Sequence, residues 1–150
     1  MSEKRDFKFD KKAEKYDEGY EGRLSEKFYE LVTENVSLSD GMDILDMGCG
    51  TGTILYRLSQ KCSINGYGID VEEKMLEQAR KKCPDMQTMN CSCDSTPFDD
   101  GSFDGIVACM AYQPNSGQFL GESTKTIGLR ASSAPSARRR LTLCICTPSA

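Results

Sequence analysis

The chain has 150 residues, 38% of them hydrophobic and 28% charged, with a formal net charge of −4 and no histidine. Such a length and balance predict one fairly small soluble globular domain, and no apolar run approaches the ~18 residues of a membrane span. The charge is unevenly divided: residues 1–113 carry 14 Lys and Arg against 22 Asp and Glu, whereas residues 114–150 carry 5 against 1. An acidic body argues against nucleic acid as the partner.

The N-terminus, Met-Ser-Glu-Lys-Arg-Asp, is charged and leads into no apolar segment. No secretory signal is visible, so the expectation is a cytoplasmic protein with no membrane partner. The eight cysteines form no Cys-x-x-Cys pair. They are expected to be reduced, mostly buried as small hydrophobes, and to hold no metal. The Cys91/Cys93 and Cys144/Cys146 pairs fall in strand-like runs.

Residues 3–20 alternate charge sign around Phe7, Phe9, Tyr16 and Tyr20, which reads as a solvated helix with aromatic anchors. Leu24, Phe28, Leu31, Val32 and Val36 share one helical face and predict a helix over roughly residues 22–36, packed on a sheet. Asp40-Gly41 is a turn signal delivering the chain into a first strand. That strand, Ile44-Leu45-Asp46-Met47, ends in glycines at alternate positions, Gly48, Gly50 and Gly52. Ile54, Leu55 and Leu58 then begin an amphipathic helix running to about Gln60.

Strand, glycine turn and helix in that order make a nucleotide site, because glycines let the backbone approach a ligand and adopt positive φ. The spacing is not the dinucleotide fingerprint G-x-G-x-x-G, which would need glycine at Thr53. This disfavours a nicotinamide oxidoreductase. The pattern is D-x-G-x-G-x-G, Asp46 to Gly52. It resembles the first motif of the class I S-adenosylmethionine-dependent methyltransferases. Cys49 sits where a helix N-terminus can lower a thiol pKa, but it reads as a loop residue and not as a nucleophile.

Ile64 to Ile69 predicts a second strand ending in Asp70, close to the ~20 residues after the glycine turn at which such folds place a carboxylate for ribose hydroxyls. Asp70-Val-Glu-Glu73 also reads as a helix N-cap with an acidic residue at N3. Both readings stay open. The following helix should turn Val71, Met75, Leu76 and Ala79 inward. Gly-Tyr-Gly-Ile-Asp70 resembles the second motif of the same family.

Met86 to Cys93 predicts a third strand, leading to Asp94. Ile106 to Met110 is an apolar fourth strand, suited to a parallel sheet covered on both faces. Asp94 through Asp104 resembles the family's third motif, in which the first aspartate contacts the adenine amino group and the phenylalanines pack. Phe9 to Asp17 resembles the segment that helps to cover the cofactor, with Tyr16 carried over. The resemblance spans about residues 9–113. It implies a cofactor site of Tyr16, Asp46, Gly48, Cys49, Gly50, Thr51, Gly52, Asp70, Val71, Asp94, Ser95 and Met110.

After Tyr112-Gln113 the pattern lapses. Residues 114–140 show no sustained helical or alternating periodicity, and Leu141 to Cys146 reads as a further strand. The expectation is a chain truncated or out of its ancestral frame near residue 113. It would comprise a cofactor-binding core (1–113, with an N-terminal helical cap over 1–40) and an atypical, disordered or non-native tail (114–150). The fold class is α/β, a doubly wound, mostly parallel Rossmann-like sheet with helices on both faces and its C-terminal strands missing or altered. The resemblance implies methyl transfer from S-adenosylmethionine to a small-molecule acceptor. Self-association through an incomplete sheet edge is also expected. The alternative is a cofactor-binding domain without catalytic activity, either a remnant or a module completed by a partner.

Overall fold

The computed structural model describes residues 13–93, 95–99, 101–109 and 141–145. A short 3₁₀ turn, Ala13–Lys15, leads into helix α1, Tyr20–Asn35. Strand β1 (Asp43–Met47), helix α2 (Thr53–Lys61), strand β2 (Asn65–Asp70), helix α3 (Glu73–Lys82), strand β3 (Gln87–Asn90) and strand β4 (Gly105–Cys109) follow. Strand β5, Leu141–Ile145, ends the described chain. The sheet order is β3-β2-β1-β4-β5, and every neighbouring pair is parallel. The order reverses between β1 and β4, which places a crevice at the carboxyl end of β1.

Alternation along the strands sends apolar side chains to both faces of the sheet. On one face Met42, Ile44, Met86 and Val107 meet Val32 of α1, Ile54, Leu55 and Leu58 of α2, and Ala79 of α3. On the other, Leu45, Met47, Ile69, Ile106 and Ala108 gather around Phe103. Each Val, Leu, Ile, Met or Phe side chain among them, fully buried, contributes about 1.5–3 kcal/mol. The three described helices share the first face. Residues 110–140 lie outside the described residues.

Phe103 anchors the loop before β4, its ring edge-on to Phe98 at 4.9 Å and to Tyr67 at 5.2 Å. Asp104 completes the junction. Its N–H donates to the carbonyl of Asp43, and its Oδ2 accepts the Asp43 N–H at 2.9 Å. At the same end of β1, the Asp40-Gly41 turn collects the end of α2: Asp40 Oδ1 accepts the Ser63 N–H at 2.9 Å.

Four details differ from the sequence expectations. Leu31 is 51% exposed, because α1 rests on the sheet through Val32 one residue further on. Val71 does not pack inward; it precedes α3 and is 47% exposed beside the crevice. β3 ends at Asn90, so Cys91 and Cys93 lie in the loop beyond it and pack against the second core cluster. Cys49, Cys62, Cys83, Cys91 and Cys93 are free thiols, and of these only Cys49 is buried. The strand read at Leu141–Cys146 is present as β5 and lies along β4 from Gly105↔Leu141 to Cys109↔Ile145. Residues 114–140 lie outside the described residues.

Candidate cofactor site

The turn after β1 hangs from the end of β2. The N–H groups of Gly48 and Cys49 both donate to the carbonyl of Ile69, at 2.8 and 2.9 Å. Gly50 N–H donates to Asp70 Oδ2 at 2.8 Å, while Asp70 Oδ1 accepts the Glu72 N–H at 2.9 Å. One carboxylate therefore ties the glycine loop to the entry of α3. The N-cap of α3 is Glu72, which makes no side-chain cap bond, so Asp70 supports the helix entry without being its cap residue.

Gly52 is the N-cap of α2 at φ +77°, and a Cβ there would lie 3.1 Å from Ala79 and Met86. A side chain at that point would be strained and crowded at once. Gly50, at φ +53°, faces space in which a Cβ would meet only the end of Met75 at 3.7 Å. The loop is thus closed on its helix side and open above Gly50.

Asp46 lies beneath the loop, 2% exposed, and its Oδ1 has no hydrogen-bond partner among the described residues. Burial, and secondarily the charge of Asp70, pushes its carboxyl up to about 7. An unpaired buried acceptor beside a second carboxylate suits a ligand that brings positive charge and hydrogen-bond donors. Cys49 is a buried loop residue, in keeping with its reading as no nucleophile. Burial, then Asp46 and Asp70, raises its thiol pKa above the ordinary value, so no reactive thiolate forms there.

Thr51 is buried, and its hydroxyl donates to Asp17 Oδ1 at 2.8 Å. Tyr16, the neighbour of Asp17, is half-buried in the turn that follows the 3₁₀ segment, and its carbonyl accepts the Gly19 N–H at 3.1 Å. Ser95 is exposed in the loop after β3, with its N–H on the Ser92 carbonyl at 3.2 Å. The structure thus brings Asp46, Gly48, Cys49, Gly50, Thr51, Gly52 and Asp70 together at the carboxyl ends of β1 and β2, with the exposed Val71 next along the chain. Asp94 and Met110 lie outside the described residues. Asp17 and Lys82, which converge on Thr51, are not legible in the sequence as its neighbours, since no spacing links positions so far apart in the chain.

The parallel sheet, with its strand order reversing between β1 and β4, defines a Rossmann-like α/β domain. The Methyltransferase domain family matches residues 44–126, more than half of the chain, and the chain belongs to that family. That part of the chain is a methyltransferase domain of the class I S-adenosylmethionine-dependent type, and membership implies S-adenosylmethionine as the cofactor.

A demethylmenaquinone methyltransferase of Thermotoga maritima is 30% identical over 113 residues, covering 70% of this chain and 48% of the relative. The chain is also similar to a structure described as a complex between the Haloferax volcanii Trm112 methyltransferase activator and a methyltransferase. There the TM-score is 0.60 and the identity 28%, over 67% of this chain and 46% of that one. A geranyl diphosphate C-methyltransferase from Streptomyces coelicolor, solved with S-adenosyl-L-homocysteine, shares the fold at TM-score 0.51 and 16% identity, over 57% of this chain and 34% of that one. The chain spans about half the length, or less, of the relatives it matches.

Proposed function

We propose that this chain is the cofactor-binding part of a methyltransferase that acts on a small-molecule acceptor. The observation that carries the reading is Asp70, whose carboxylate is fixed by the glycine loop and the entry of α3 at the end of β2. Each carboxylate oxygen has two lone pairs, so both retain an acceptor site for ribose hydroxyls. Gly48, Gly50 and Gly52 supply the backbone cradle, and Asp46 offers buried negative charge to the cationic methionine end. Val71, Ser95, Asp94 and Met110 are proposed for the adenine side, and Tyr16 for the cover.

S-adenosylmethionine, when bound, supplies an electrophilic methyl group on a sulfonium. The residues of the chain bind and orient; no general base is assigned. Most of the benefit then comes from aligning the acceptor with the methyl, an advantage worth up to about 7–11 kcal/mol of barrier. The name of the Thermotoga relative supports a small acceptor.

The test is a thermal shift with S-adenosylmethionine, S-adenosylhomocysteine and NAD in parallel. At a hundredfold excess over Kd, a specific ligand stabilises by about 2.7 kcal/mol. Both S-adenosyl compounds should raise the melting temperature, and stabilisation by NAD alone would overturn the reading.

A second reading, a domain completed by a partner, is supported by one observation: the Haloferax structure contains an activator protein. S-adenosylhomocysteine formation from a panel of small acceptors by the chain alone would speak against it.

A further inference from the structure

The N-terminal segment, the glycine loop and the end of α3 meet in a polar cluster of Asp17, Thr51, Thr53 and Lys82. Asp17 Oδ1 accepts the Thr51 hydroxyl at 2.8 Å and the Thr53 hydroxyl at 3.4 Å. Lys82, at the end of α3, forms an ion pair with Asp17 Oδ2. Its Nζ also donates to Thr53 Oγ1 at 2.7 Å and Thr51 Oγ1 at 3.2 Å. Two segments remote in sequence therefore converge on Thr51.

The segment carrying Asp17 is itself braced. Ala13 is buried, and Gly19 N–H is shared between the carbonyls of Lys15 and Tyr16 at 3.0 and 3.1 Å. Behind it stands Gly22 of α1, where a Cβ would lie 2.4 Å from the Tyr16 carbonyl and 2.5 Å from that of Asp17. Only glycine lets α1 back so closely onto this turn, so Asp17 has little freedom to withdraw while the turn stays docked.

On the loop side, adjacent residues are held by different carboxylates. Gly50 N–H is on Asp70 and Thr51 Oγ1 is on Asp17. We infer that Asp17 and Lys82 form a latch tying residues 13–19 to the glycine loop, which makes Asp17 a positioning residue for the loop. Asp17 acts through Thr51: its release frees the loop on the flank that Asp70 does not hold. The latch is half-exposed, with side-chain exposures of 42% for Asp17 and 25% for Lys82. Such a pair is weak enough to open repeatedly and is sensitive to salt. Its consequence for cofactor exchange rests on the cofactor reading above, whereas the mechanical coupling does not.

The experiment compares the full chain with Asp17→Ala, Lys82→Met and the double variant, using amide exchange without ligand and S-adenosylhomocysteine dissociation with it. Amide exchange at residues 16–19 and 50–53 should accelerate together, about two- to fivefold, the range that an ion pair of this exposure supports. The double variant should exceed neither single by much, because the two residues serve one interaction. Asp17→Asn, which keeps the acceptor for Thr51 and loses the charge, should fall between. Ligand dissociation should quicken by a similar factor.

Acceleration confined to residues 16–19, or none at all, would overturn the latch. A wild-type chain that binds no S-adenosylhomocysteine would refute the cofactor reading instead, and the exchange data would still decide the coupling.

Discussion

Asp70 Oδ2 accepts the Gly50 N–H at 2.8 Å, so the second strand reaches the middle of the glycine loop with a charged acceptor. The sequence leaves a ribose ligand and a helix cap as alternatives for Asp70. The geometry adds a third task, that of setting the loop. Asp70→Ala should therefore weaken S-adenosylhomocysteine binding by about 10- to 150-fold, or ~1.5–3 kcal/mol for loss of a charged acceptor. It should also lower stability by ~1 kcal/mol or more through the freed Gly50 and Glu72 amides. Calorimetric titration beside thermal melts separates the two effects, and unchanged affinity would rule out the ribose role.

Gly68 answers to Cys49. A Cβ on Gly68 would lie 2.7 Å from Cys49 Sγ and 3.1 Å from Cys49 Cβ. Gly68→Ala should cost about 1–3 kcal/mol by overpacking. Adding Cys49→Gly removes the atoms in the way and should restore part of the loss. Denaturant melts of both variants measure this, and a double variant no more stable than the single would refute the pairing.

Phe103 is 2% exposed and is the aromatic anchor of the loop before β4. Phe103→Ala should cost about 3–5 kcal/mol. Phe103→Leu keeps most of the volume, so it should lose only about 0.5–1.5 kcal/mol, the part due to ring–ring geometry with Phe98 and Tyr67. Equal losses in thermal melts would mean that the edge-on contacts contribute nothing.

The strands and glycine turn are legible because each rests on local signals: Ile44–Met47 is a short apolar run, and Gly48, Gly50 and Gly52 mark where side chains cannot go. The position of Asp70 follows from the same repeat of strand, turn and helix. The exposure of Leu31 could not be read, since it depends on which ridge of α1 meets the sheet and Val32 won by one position. The Asp17–Lys82 pair was equally hidden. Its partners come from separate elements, and charged residues in acidic and basic runs look like solvated surface until the fold joins two of them. Cys49 reads from the sequence as a loop residue and not a nucleophile, and the fold adds the physical reason: desolvation and two carboxylates outweigh the helix N-terminus beside it.

The last prediction concerns pH. Asp46 has an ordinary carboxyl value of 3.8 in the unfolded chain and about 7 in the fold, raised by burial first and by Asp70 second. Between those limits the folded state binds more protons than the unfolded state, so the contribution of Asp46 to stability falls as pH rises. It is fully present below about pH 4 and gone above about pH 7, and a three-unit shift corresponds to ~4 kcal/mol. Asp46→Asn should flatten the dependence of apo stability over that window. A cationic cofactor prefers the ionised carboxylate, so affinity for S-adenosylmethionine should run the other way. It should rise by up to tenfold per pH unit from pH 5 towards 7 and then level off, with no such rise in Asp46→Asn. Calorimetry in buffers of different ionisation enthalpy should register release of close to one proton on binding at pH 6. Binding without proton release at that pH would mean that Asp46 is already ionised, or remains protonated beneath the ligand, and its proposed place at the cationic end would be lost.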